Sequence, residues 1–136
     1  MYLIDTNILL EGLLEQEKAD SVRSFFSTVD LGQMAITDLA LHSIGIILFR
    51  FGKYDIFNSF LNDLIIDGIE VLTLKPDDLL ELEDTIQSFN LDFDDAYQYL
   101  VAEKSHLVII SFDTDFDNTE LGRKEPSEIL WGLSKK

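Results

Sequence analysis

No cysteine occurs among the 136 residues, which excludes a disulfide framework and any thiolate zinc site and suits a reducing compartment. Basic side chains are scarce, with 10 Lys and Arg against 26 Asp and Glu and a formal net charge of −16. A global field of that sign repels phosphate. At physiological salt, screening over about 8 Å makes the charges lining a contact surface count more than the total. The same acidity favours a basic partner protein. No segment is rich in Gly or Ser, no repeat is present, and only two prolines occur, so long linkers and disorder are not expected. The most apolar stretch, Ile44 to Phe49, falls far short of the roughly 20 residues that cross a bilayer. The amino end shows no basic, then apolar, then small-residue pattern. The expectation is a soluble cytoplasmic protein with no membrane contact.

What is present is a hydrophobic fraction of 46% on a length typical of one domain, so a single domain over residues 1–136 is expected. Tyr2 to Ile4, Met34 to Ile36, Ile69 to Leu74 and Leu107 to Ser111 read as strands, apolar throughout rather than alternating. Between them the 3.6-residue period predicts helices over Ile8–Leu14, Lys18–Val29, Asp38–Phe51, Lys53–Asp67, Asp77–Phe89 and Phe93–Lys104, with a last one from Pro126 through Trp131. Thr37 serves as N-cap of the third, and Gly52 and Gly68 close the third and fourth. The third is apolar on nearly every side, which predicts full burial, and its Gly45 leaves room for close helix packing. Strands separated by helices imply α/β class, a three-layer α/β/α sandwich around a mainly parallel sheet.

In such sheets ligands collect beyond the carboxyl ends of the strands. Asp5 and Asp113 both follow strands that end on that edge, and Asp95 opens the helix leading into the last strand. Carboxylates gathered from three distant segments repel one another, and a hard cation with oxygen ligands is the usual reason to gather them. Asp5, Asp95, Asp113 and Asp115 are therefore the candidate ligands of Mg²⁺ or Mn²⁺. The competing reading for each is bland: a helix cap or turn residue at Asp5 and Asp115, and a macrodipole partner at Asp94 and Asp95. Asp94 fits the bland reading best. Other acidic motifs fail. A calcium loop starting at Asp113 would need Gly at Asn118 and Glu at Lys124. A phosphatase Asp-x-Asp would follow the first strand, a receiver domain would need a lysine after a late strand, and no Gly-rich nucleotide loop occurs.

The order that remains resembles a PIN domain, and within that superfamily the VapC-like toxins of toxin–antitoxin systems. Leu3-Ile4-Asp5-Thr6-Asn7 looks like the opening motif, Asp95-Ala96 like the third acidic position, and Ser111-Phe112-Asp113-Thr114-Asp115-Phe116 like the fourth. The resemblance implies a metal-dependent endoribonuclease with Asp5, Asp95 and Asp113 as catalytic residues, an RNA substrate, a small antitoxin with a basic segment, and a homodimer joined through the helices between Asp38 and Asp67. One departure stands out. PIN nucleases usually carry a glutamate in the helix that Thr37 opens, and Ser43 occupies that position with His42 beside it. Ser43 brings no charge, and His42 sits about 100° around the helix; these two are the candidate substitutes. The alternative is a catalytically weak PIN-like module that binds nucleic acid or protein. Tyr97 and Tyr99 fall at core spacing, a lone histidine such as His42 is more often a core residue, and Arg50/Lys53 and Arg123/Lys124 are the best candidates for phosphate contact.

Overall fold

The computed structural model describes residues 1–135, and the side chains of all of these but Ile65. Four strands, β1 (Tyr2–Ile4), β2 (Met34–Thr37), β3 (Glu70–Leu72) and β4 (Val108–Ile110), form one sheet in the order β3-β2-β1-β4. Every pairing is parallel, with Leu3 beside Ala35 on one flank and beside Ile109 on the other. The helices are α1 (Thr6–Leu13), α2 (Ala19–Thr28), α3 (Asp38–Arg50), α4 (Tyr54–Asp67), α5 (Pro76–Leu79), α6 (Leu82–Phe89), α7 (Phe93–Ser105) and α8 (Pro126–Ser134).

The period-two alternation of the strands assigns one core to each face of the sheet. Leu3, Ala35 and Ile109 meet Leu82, Tyr99, Leu100 and Phe116 on the side of α6 and α7. Ile4, Met34, Ile36 and Ile110 meet Ile8, Phe25, Ile44 and Leu48 on the side of α1 to α4. This is the expected three-layer α/β/α arrangement. Both faces are covered, which is why the strands read as continuous apolar runs.

Local chemistry fixes the helix ends. Thr37 caps α3 by accepting a hydrogen bond from the Ala40 amide at 2.9 Å. Gly68 closes α4 at φ +73°, a left-handed conformation that costs glycine nothing. Pro126 takes the first turn of α8, where its missing N–H is no loss.

Three expectations need correction. The helix expected over Asp77–Phe89 is two pieces, α5 and α6, because the Leu80 and Glu81 amides bond to Asp77 and Asp78 three residues back and tighten the chain into a turn. The strand expected over Ile69–Leu74 is only Glu70–Leu72 and lies at the sheet edge, where fewer residues find a ladder partner. Helix α3 is not buried all round. Ala40, Ile44 and Leu48 form its single buried stripe, while Ile46 and Phe49 stay half exposed, as does Tyr54 just past its end, and Phe51 is more exposed still. One flank of α3 meets the sheet and α1 and another meets α4, which leaves a third facing outward.

Candidate metal centre

The parallel sheet brings the carboxyl ends of β1 and β4 side by side, and the chain places a carboxylate just beyond each. Asp5 is the N-cap of α1 and is only 4% exposed. Its Oδ1 accepts from the Thr6 amide and from Gln98 Nε2, both at 2.7 Å. Its Oδ2 accepts from Ser111 Oγ at 2.6 Å and from Asn7 Nδ2 at 3.2 Å. A carboxylate with four donors is acceptor-only chemistry with its lone-pair directions in use. Burial pushes its pKa up, opposed by the hydrogen bonds from Ser111, Gln98 and Thr6.

Asp95 arrives on the first turn of α7. Asp92 caps that helix by accepting from the Asp95 amide at 2.9 Å, leaving the Asp95 carboxylate to face the site and Asp94 to point to solvent. The expected solvated role of Asp94 holds, with the cap itself belonging to Asp92. After β4, Ser111 Oγ receives the Asp113 amide at 2.9 Å, and Asp113 Oδ1 receives the Asp115 amide at 2.9 Å. This short turn curls the acidic loop back over the edge of the sheet.

Asp95, Asp113 and Asp115 each offer a carboxylate oxygen, all within 4.8 Å of one another. Asp5 stands against this group closely enough to raise the pKa of Asp95, and Asp113 in turn raises that of Asp5. Asp95 is pushed up to about 8, first by burial and then by the negative charges of Asp113, Asp92 and Asp5. Among the described residues no Lys or Arg forms an ion pair with any of the four candidate acids. Repulsion without an internal counter-charge, and donors that are all hard oxygens, fit a divalent cation of the Mg²⁺ or Mn²⁺ kind.

The other candidates fall elsewhere. His42 is exposed on the outer flank of α3, where it lines an apolar groove with Leu41, Gly45, Ile46, Phe49 and Phe57; it is not a core residue. Ser43 is half buried, and among the described residues neither side chain hydrogen-bonds to the acidic group. Gly45 makes room as expected, since a Cβ there would stand 3.2 Å from the Phe57 ring. Arg123 is not free to bind phosphate. Its guanidinium holds Asp117 and Glu125 at 3.0 Å and the Ser111 carbonyl at 3.0 Å, which clamps the loop that carries Asp113 and Asp115. Lys124 lies 3.8 Å from Glu128, and Arg50 and Lys53 are exposed. Tyr97 and Tyr99 are buried, as their spacing implied.

Sequence reasoning missed Gln98. Its signal was a polar residue in the otherwise apolar stretch Ala96–Ala102, three residues past Asp95 and so on the same helical face. Asn7 belongs with it. Its side chain bridges Asp5 and Ser111 and accepts from the Phe112 amide at 3.1 Å, tying the ends of β1 and β4 together.

The PIN domain family model matches residues 2–121, and the chain belongs to that family. PIN domains are generally nucleases that use divalent metals, and the acidic group described above is the feature such chemistry requires. Among solved structures, the Mycobacterium tuberculosis toxin VapC20 superposes with a TM-score of 0.79 at 13% identity, covering 93% of this chain and 100% of that one. A toxin–antitoxin complex from Klebsiella pneumoniae gives 0.72 at 18% identity, covering 93% and 98%. PAE2754 from Pyrobaculum aerophilum gives 0.69 at 23% identity, covering 99% and 97%. No curated protein matches the chain.

Proposed function

We propose that residues 1–136 act as one domain, a metal-dependent endoribonuclease of the PIN type and the toxin component of a type II toxin–antitoxin pair. The observation that carries this reading is the convergence of Asp95, Asp113 and Asp115 within 4.8 Å, beside Asp5 and, among the described residues, with no Lys or Arg paired to them. Asp95, Asp113 and Asp115 would hold Mg²⁺ or Mn²⁺ together with Asp5, each directly or through water. Such an ion would supply a water of lowered pKa as nucleophile and positive charge against the phosphate. The chain's own contribution is placement. Asn7, Gln98 and Ser111 fix the Asp5 carboxylate, Asp92 sets the first turn of α7 so that Asp95 faces inward, and Arg123 steadies the loop that presents Asp113 and Asp115.

Among the structural neighbours, VapC20 is a sarcin–ricin loop cleaving toxin and another is a toxin–antitoxin complex, which supports an RNA substrate and an antitoxin partner. The charge of −16 suits an antitoxin with a basic segment. The outward stripe of Ile46, Phe49, Phe51 and Tyr54 supports a homodimer through α3 and α4, and a cytoplasmic setting follows from the same role. The test is cleavage of RNA with and without Mn²⁺, using wild type and Asp95→Asn. Wild type is expected to cut only with the ion and the variant to lose most of that activity; a wild type that binds no Mn²⁺ and cuts nothing overturns the reading.

A second reading has specific support. Ser43 replaces the usual helix glutamate, and both oxygens of Asp5 are already engaged. A catalytically weak PIN module that binds RNA or protein would bind substrate in the assay above without turning it over.

A further inference from the structure

We infer that Gln98 is a positioning residue of the acidic centre, a neutral amide that fixes Asp5 with its nitrogen and presents its oxygen to a proton-donating ligand held in the site. This rests on the proposed metal-dependent reading. The side chain is 5% exposed and donates to Asp5 Oδ1 at 2.7 Å, across 93 residues of sequence. Its Oε1 is fully buried and is one of two such side-chain atoms without a hydrogen-bond partner among the described residues. An orphaned acceptor of that kind costs free energy unless something completes it.

Within one amide, Oε1 lies about 2.3 Å from Nε2 by covalent geometry, so it sits within about 5 Å of the Asp5 carboxylate. The groups that surround Asp5 on the site side are Asp95 and Asp113; with a cation bound both are ionised and only accept, and without one the single proton of Asp95 is engaged with Asp113, so neither satisfies it. The ligand that does so must carry its own O–H or N–H. A water brought in with a divalent cation meets that requirement and uses the same oxygen-rich cup. Gln98 then links Asp5 to the contents of the cup and sets both the direction of the Asp5 carboxylate and the orientation of that water. A hydrophobic residue at 98 would fill the same volume and do neither. The role suits an amide and not an acid, because a carboxylate here would add a further charge against Asp5.

The test compares wild type with Gln98→Met, and with Gln98→Leu as a second apolar substitution. Three readings are taken: thermal melting without metal, Mn²⁺ affinity by calorimetry, and RNA cleavage at saturating Mn²⁺. Loss of a hydrogen-bonding neighbour that orients a ligand set typically weakens metal affinity about 10–100-fold, and that is the expected loss for both variants, with melting temperatures close to wild type. Cleavage at saturating Mn²⁺ is expected to fall in kcat with little change in KM. Wild-type Mn²⁺ affinity in a variant that folds overturns the inference while leaving the metal reading intact. Absence of Mn²⁺ binding by wild type instead defeats the metal reading itself. A variant that melts far below wild type yet binds Mn²⁺ normally assigns Gln98 to the core and also overturns the inference.

Discussion

The sharpest consequence of the acidic centre is that the metal-free protein must lose stability as pH rises through the neutral range. In the folded chain Asp95 is pushed up to about 8, against 3.8 as its ordinary value. Between these two pH values the folded state holds a proton that the unfolded state has released. The stabilising contribution is therefore fully present below about pH 4 and declines by about 1.4 kcal/mol for each pH unit until about pH 8, where it levels off. That sets a ceiling of about 6 kcal/mol. The centre opens to water on the Asp113 and Asp115 side, so the working expectation is about 1–3 kcal/mol. Asp95→Asn removes the charge and keeps an N–H where the shared proton bridges to Asp113. In EDTA at pH 8.5 the variant is expected to melt about 3–9 °C above wild type, at about 3 °C per kcal/mol for this size, and to match it near pH 4, where both folded and unfolded wild type hold the proton. Mn²⁺ at a hundred times its dissociation constant should reverse the order, adding about 2.7 kcal/mol to wild type and little to the variant. General relief of the −16 charge on acidification is removed by reading the difference between the two proteins, with Glu17→Gln, at an exposed position, as a control. Parallel curves for wild type and Asp95→Asn from pH 4 to 8.5 would refute the argument.

Three further outcomes are expected. Thr37→Ala removes the buried cap of α3 and should cost about 1–2 kcal/mol, a fall of about 3–6 °C in melting temperature, with Thr37→Ser recovering most of it. Replacing Ile46 and Phe49 together by glutamate places charge on the outward stripe of α3 and should convert the proposed dimer to monomer by sedimentation, with a melting temperature that no longer rises with protein concentration. Binding of single-stranded RNA by Asp95→Asn should depend weakly on salt, with a log–log slope no steeper than about −1.5, which corresponds to about two phosphates met by basic side chains.

Much of the layered architecture was written in the chain, because the signals for it are local. Apolar triplets at Tyr2–Ile4 and Val108–Ile110, the Thr37 cap, Gly68 and Pro126 each act through residues within one turn of themselves. The order of the acids was legible for a similar reason: a parallel sheet puts every strand's carboxyl end on one edge, so a residue just past a strand has its place fixed. What escaped reading depends on partners far along the chain. The outward face of α3 looks identical in sequence to a buried one, since Ile46 and Phe49 are as apolar as Ile44 and Leu48. The break between α5 and α6 follows a three-residue bonding pattern that propensity does not announce. The membership of the site was only partly visible. Asp115 joins Asp95 and Asp113 in the compact group while Asp5 stands beside it, saturated by donors from Asn7, Gln98 and Ser111, and nothing in a single sequence distinguishes a bound carboxylate from a free one.

On the proposed nuclease reading, the distribution of charge decides how so acidic a chain would address phosphate. Lys18, Arg23, Lys104, Arg123 and Lys124 are each engaged with a carboxylate. Arg50 and Lys53 lie at the far end of α3, about 20 Å along the helix from its cap at the sheet edge, and Lys75 follows β3, on the opposite flank of the sheet from β4. Lys18, over the Phe112 ring, and Arg123, on the Ser111 carbonyl, do stand beside the acidic edge, but each is paired with a carboxylate and adds no free positive charge to it. Long-range attraction of a polyanion is absent, and within a screening length the cup itself repels phosphate until a divalent ion changes its sign. On the proposed nuclease reading the ion would be the principal electrostatic attraction available to a substrate, which would tie binding and turnover to the same species. A basic segment reaching the same cup would satisfy Asp95, Asp113 and Asp115 in its place, so on the same reading a metal and a basic inhibitor would compete for one set of oxygens.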